Sequence, residues 1–141
     1  MTEFFDTSVL VAAHLGDHPH HDRSLAALAR ATKETSACAA HSLAEVYSVL
    51  TRLPVRPAIL PEQAMLFLAD VRDRLSIIPL DERAYFDTLQ SAAAGGITGG
   101  RIYDALLLRC AAKCDADVVY TWNAGHFQQI APHLAHRIRT P

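Results

Sequence analysis

Cysteine is scarce in this chain, and what there is does not pair. Cys38, Cys110 and Cys114 are odd in number and form no Cys-X-X-Cys spacing, which excludes a disulfide-built secreted scaffold and suits a reducing cytoplasm. Positive charge is also short. The formal charge of −2 leaves no overall basic field of the kind that many nucleic-acid binders carry. That weighs against a nucleic-acid partner without deciding the matter, because a bound divalent cation would reverse the local field around a carboxylate pocket. Long apolar runs are missing too. No uncharged stretch approaches the roughly 20 residues that span a bilayer. The N-terminus has an acid where a signal peptide needs basic residues, and the run Val9 to Ala13 is too short for its apolar region. The expectation is a soluble cytoplasmic protein with no membrane contact.

What is present is globular: half of the 141 residues are hydrophobic and a fifth are charged. A chain of this length buries roughly 70% of its unfolded surface, enough for one domain with a full core. No repeat, low-complexity segment or linker divides it, so residues 1–141 read as a single domain. Short β-branched or aromatic runs alternate with longer helical stretches, the pattern of an α/β protein with a mainly parallel sheet. Glu3 to Asp6, Ser36 to Ala40, Leu75 to Leu80 and Asp117 to Thr121 read as four strands, and His136 to Arg139 as a possible fifth. Ser8 to Leu15, His20 to Ala31, His41 to Leu53, a segment opened by Pro61, and Arg101 to Lys113 read as helices, with a short one at Asn123 to Ile130. Asp81 caps a further helix that dissolves at Gly95 and Gly96.

Four polar signals stand out of this frame. Asp6 ends the first strand, with the Ser8 hydroxyl two residues on. Ligands bind at that edge of open parallel sheets, but an aspartate there can equally cap the following helix. Glu45 lies beside the apolar face made by Leu43, Val46 and Leu50. An unpaired charge is costly there unless it reaches solvent, which is the plainer reading. Asp104 sits in the first turn of a helix that is otherwise almost wholly apolar until Arg109. The macrodipole favours an acid at that place, and burial of the helix demands a pocket, a partner or a cation for it. Thr121 and Asn123 follow the fourth strand and could cap the helix after it. Each signal is ambiguous by itself, yet Asp6, Asp104, Thr121 and Asn123 converge on one sheet edge and Glu45 can reach it from a flanking helix. Oxygen donors without cysteine or histidine suit Mg²⁺, or Mn²⁺ in its place, better than Zn²⁺. Such an ion could hold a phosphate and acidify a bound water, which is phosphodiester hydrolysis.

At this point the sequence resembles the PIN-domain ribonucleases, in particular the VapC-type toxins of bacterial toxin–antitoxin pairs. The resemblance runs over nearly the whole chain. It rests on FFDTSVLVAA around Asp6, the run His18-Pro19-His20-His21, SLAEVYSVLTRLP around Glu45, GGRIYDALLLRCA around Asp104 and TWNAGHF around Asn123. It implies a three-layer α/β/α domain with a central, mainly parallel sheet of four or five strands. It also implies an endoribonuclease in which Asp6, Glu45 and Asp104 bind the metal, with Asn123 where many members carry a fourth acid. Ser8 and Thr121 match hydroxyl positions that support the site or contact phosphate. A cognate antitoxin, an RNA substrate and a homodimer follow from the same resemblance. The neutral Asn123 puts a second tightly held metal in doubt and keeps a rival open: a catalytically weak PIN-like module acting through protein or nucleic-acid binding. A phosphoryl-accepting enzyme or receiver fits poorly, since no second aspartate follows Asp6 and the receiver's acceptor aspartate and lysine are missing.

Other features carry less. His18, His20 and His21 lack a partner set of metal ligands and read as a lead-in to the second helix or as surface. Cys110 and Cys114, one turn apart in an apolar segment, read as buried free thiols. GGITGGRI, residues 95–102, nears a phosphate loop in its glycines but has Arg101 and Ile102 where lysine and a hydroxyl are needed, and it follows a helix. It reads as a loop from which Arg101 can touch a substrate backbone. Met65 to Leu68 reads as core, or else as part of a partner groove.

Overall fold

The computed structural model describes residues 2–141. Among them, five strands form one sheet: β1 (Glu3–Phe5), β2 (Ser36–Ala39), β3 (Ser76–Ile78), β4 (Val118–Tyr120) and β5 (Ile138–Arg139). Their order is β3-β2-β1-β4-β5, and every neighbouring pair is parallel. The helices are α1 (Thr7–His14), α2 (His21–Arg30), α3 (Ala40–Arg52), α4 (Pro61–Arg74), α5 (Glu82–Ala94), α6 (Arg101–Lys113) and α7 (Ala124–Ile130), with a 3₁₀ helix at Pro132–Arg137. None is long and apolar enough to cross a membrane.

A strand covered on both faces reads as a continuous apolar run, and successive side chains leave it in opposite directions. Phe4 and Phe5 show this. Phe5 turns with Cys38, Val118 and Tyr120 toward Val9 and Leu10 of α1, Val46 and Leu50 of α3, and Leu68 and Val71 of α4. Phe4 turns with Ala37, Ala39 and Val119 toward Leu107, Leu108 and Ala111 of α6 and Phe127 of α7. Both rings are fully buried, each burial being favourable by about 1.5–3 kcal/mol. The result is the three-layer α/β/α architecture that the family resemblance implies, with the parallel sheet that the alternation of elements predicts.

Local chemistry sets several boundaries. Asp81 caps α5 by accepting the Ala84 N–H at 2.8 Å, and Pro61 opens α4. Gly96 and Gly99, at φ 71° and 60°, supply the left-handed backbone of the loop into α6. β3 stops at Ile78 because Pro79 has no N–H for a ladder. The expected closing strand from His136 is shorter than its sequence suggests. Pro132 starts a 3₁₀ helix that runs through Arg137, so only Ile138 and Arg139 pair with β4. The run from Met65 divides by helical period. Leu68 is buried and Phe67 packs against the core, whereas Met65 and Leu66 are exposed.

Candidate metal centre

The crevice of a parallel sheet opens where consecutive crossovers leave for opposite faces. Here that place lies between β1 and β4, since α1 follows β1 onto one face and α7 follows β4 onto the other. Asp6 stands at the end of β1, just outside the strand, with its N–H still bonded to the Tyr120 carbonyl at 2.9 Å. It occupies the N-cap position of α1, yet its carboxylate makes no capping hydrogen bond. Instead Oδ2 accepts from Ser8 Oγ at 2.7 Å and from Thr121 Oγ1 at 2.8 Å. Those hydroxyls in turn accept the Trp122 and Asn123 N–H groups, each at 3.0 Å. Each amide thus polarises a hydroxyl toward the carboxylate, and both side-chain donors take Oδ2, leaving Oδ1 without one. The backbone N–H groups of Thr7 and Ser8, at the start of α1, also favour the ionised form of Asp6.

α3 and α6 both begin at the carboxyl edge of the sheet, which brings Glu45 and Asp104 alongside. With Asp6, Ser8, Trp122 and Asn123 they line a cleft of about 370 Å³. Burial pushes the Asp6 carboxyl above its ordinary range, against the pull of the Ser8 and Thr121 hydroxyls. Glu45 is pushed up to about 7, by burial first and then by the charges of Asp6 and Asp104. Asp104 is pushed up to about 6, by burial and then Asp6, with His126 and Arg101 opposing. Carboxylates that hinder one another's ionisation are matched by a cation that removes the repulsion. The donor set, hard oxygens throughout, fits a divalent ion of the Mg²⁺ type. Among the described residues no three acidic, histidine or cysteine side chains already stand together as a metal cage. The fit therefore lies in charge and donor type.

The remaining expected positions divide. Ser8 lines the cleft and Thr121, fully buried, backs Asp6. Asn123 stands exposed at the lip, its N–H given to Thr121. Arg101 is outside the cleft lining: it is exposed, donates to Gln129 Oε1 at 3.3 Å, and reaches Asp104 only through its charge. Three contributors went unread in the sequence. Thr7 donates to the buried Ser42 hydroxyl at 3.0 Å and so ties the start of α1 to α3. Trp122 walls the cleft. His41, one turn before Glu45, places Nε2 3.4 Å from Glu45 Oε1, out of hydrogen-bond alignment and with no other polar partner. Burial lowers the His41 pKa, with the Tyr103 backbone and Asp6 opposing, so the contact is not an ion pair at neutral pH. The i, i+4 spacing of His41 and Glu45 was the available signal.

Residues 4–131 match the PIN domain family. The chain is 38% identical over 102 residues to Ribonuclease VapC40 of Mycobacterium tuberculosis, covering 72% of each sequence. The crystal structure of M. tuberculosis VapC20, a toxin that cleaves the sarcin–ricin loop, superposes with a TM-score of 0.73 over 92% of this chain and 95% of that one, at 16% identity. The crystal structure of VapBC2 from Rickettsia felis, bound to a DNA fragment of its promoter, gives 0.65 over 99% and 98%, at 22% identity. With its crevice between β1 and β4 and its cluster of carboxylates, the chain belongs to the PIN-domain family and, within it, stands among the VapC ribonucleases.

Proposed function

We propose that this protein is the ribonuclease toxin of a toxin–antitoxin pair, and that Asp6, Glu45 and Asp104 hold the divalent metal, Mg²⁺ or Mn²⁺, on which it depends. The observation that carries the reading is one cleft at the sheet's switch point in which burial raises the pKa of all three carboxyl groups and the charge of Asp6 raises those of Glu45 and Asp104 further. The metal, when bound, supplies Lewis acidity to a phosphate oxygen and acidifies a water for hydrolysis of the phosphodiester. The chain's own residues do the positioning. Ser8 and Thr121 favour the ionised form of Asp6 against the effect of burial and occupy Oδ2, so that Oδ1, which takes no side-chain donor, would serve as the ligand to the ion. Glu45, half-buried beside Asp6 and Asp104, is a ligand or the group that orients the attacking water. Asn123 contributes an uncharged outer contact, and Arg101 reaches the RNA backbone from beside the cleft.

The test is cleavage of total RNA with Mg²⁺ or Mn²⁺, with the cut ends mapped. Asp6→Asn and Asp104→Asn should each lower cleavage at least about a hundredfold while the circular dichroism spectrum is kept; full activity in both variants sinks the assignment. The neutral Asn123 favours one rival, a catalytically weak module acting by binding. Calorimetric titration with Mn²⁺ separates the two, because the rival shows no heat that depends on Asp6.

An antitoxin and a second copy of the chain complete the reading. Exposed Met65 and Leu66 on α4, and Tyr47 on the adjoining α3, offer an antitoxin an apolar surface. Co-expression of the antitoxin should relieve the growth arrest caused by the chain alone.

A further inference from the structure

Three histidines lead into α2, and the structure gives each a different place. His21 Nδ1 lies 2.9 Å from the Ala12 carbonyl; a carbonyl only accepts, so Nδ1 carries the proton and ties α2 to α1. His18 Nδ1 accepts the His20 N–H at 3.1 Å, which leaves a neutral His18 with its proton on Nε2, and His18 lines the carboxylate cleft. His20 occupies the N-cap position of α2 without capping it. Its ring lies flat on Trp122 instead, centroids 3.7 Å apart and planes 7° from parallel, although it is exposed.

That stack is anchored from beneath. The Trp122 N–H is held by Ser8, and the indole N–H donates to the fully buried Ser24 hydroxyl at 2.8 Å. Trp122 walls the carboxylate cleft on one side. On the other, with His20 and Arg23, it lines a second hollow of about 420 Å³. A strand leaving the cleft therefore meets a flat aromatic platform next. Asp22 and Arg23 both line that hollow, one charge of each sign, so it has no excess of cations. Unpaired RNA bases are recognised in this way, splayed onto aromatic side chains, histidine included.

We infer that His20, held flat on Trp122, is the stacking platform for the unpaired base next to the scissile phosphate, with the His18 Nε2–H donating to that nucleotide's phosphate. The inference rests on the ribonuclease reading above and adds to it a nucleotide subsite outside the carboxylates.

Steady-state cleavage of a short single-stranded RNA carrying the mapped site, by the full chain with Mg²⁺ or Mn²⁺, tests it. His20→Ala should raise KM roughly tenfold with kcat within about twofold of the parent, and His20→Phe should restore KM. His18→Gln, whose amide can replace the Nε2–H, should hold KM where His18→Leu raises it. Trp122, the single tryptophan, reports the same contact as quenching by RNA that is lost in His20→Ala. An unchanged KM in His20→Ala overturns the subsite, as does a His20→Phe variant no better than alanine. So does a loss confined to antitoxin affinity, which would assign the platform to the protein partner. If an active parent is indifferent to His20→Ala, only the subsite falls. If the parent cleaves no RNA at all, the ribonuclease reading falls and takes the subsite with it.

Discussion

Two of the concavities that draw on α6 differ in kind. The larger, about 520 Å³, lies among α5, α6, α7 and the 3₁₀ helix; Leu108 and Ala92 are in its floor, Arg101, Arg109 and His133 in its lining, and no acid. The smaller, about 370 Å³, holds Asp6, Glu45 and Asp104 within its wall. The larger is ordinary helix packing that leaves a gap, with its cations free to reach water. The smaller keeps carboxylates where burial and mutual repulsion both disfavour their charge. A fold tolerates that arrangement where something else is meant to enter. Size alone does not mark the site; electrostatics points to the second hollow, and it is the second that lies at the sheet's switch point.

The comparison can be broken from either side. The largest effect on stability is expected in the larger hollow: Leu108→Ala, which removes a buried side chain between sheet and helix, should cost about 2–5 kcal/mol in urea unfolding. Cleavage per folded molecule should stay at the parental level; a drop in kcat would show that the hollow takes part in the chemistry. Thr121→Val comes next. It strips a donor from Asp6 and an acceptor from the Asn123 N–H, so it should cost about 1–3 kcal/mol and also lower cleavage about tenfold. Loss of stability with full activity would reduce the hydroxyl relay to a structural brace.

The smallest effect is the most specific. In metal-free protein the folded-state pKa of Glu45 lies at about 7, above its ordinary value of 4.5. The stability tied to its proton is therefore fully present below that ordinary value and is lost as pH rises through about 7. Glu45→Gln should accordingly raise Tm at pH 8, with chelator present, and leave it unchanged at pH 4.5. The side chain is 36% exposed, and solvent screening keeps the gain to a few degrees. Mg²⁺ should narrow the difference, because the ion relieves the same repulsion. Equal melting curves at pH 8 would mean that neither burial nor the neighbouring carboxylates hold the Glu45 pKa up.

Legibility followed the range of the interaction. Helical periodicity, the Pro61 start, the Asp81 cap and the glycines after α5 are local, and the element order could be read from them. Ile138 alone is a weak strand signal, and a 3₁₀ helix begun by Pro132 has no sequence period to betray it. The site residues were visible as types but not as roles. Asp6 read equally as a cap until Thr121, 115 residues away, was seen to donate to it. Glu45 was an ordinary helix-side acid until Asp104 arrived beside it on a different helix. Arg101 was grouped with the substrate contacts from its place in the glycine-rich loop, and only the fold shows it outside the cleft lining and bonded to Gln129. The histidines before α2 were set aside as a group, and the indole of Trp122 is what separates them.

The sequence by itself determined the layers: which runs are buried on two faces, which helices cover them, and that acids and hydroxyls gather at strand ends. These follow from spacing of 2 or 3.6 residues and from caps spanning three or four. The tertiary structure alone decided which acids share a cleft, which oxygen of Asp6 is left free, and which hollow carries the strain. Those outcomes depend on parallel pairing of β1 with β4 across more than a hundred residues, and charges separated in sequence acquire a common field only once the sheet has brought them together.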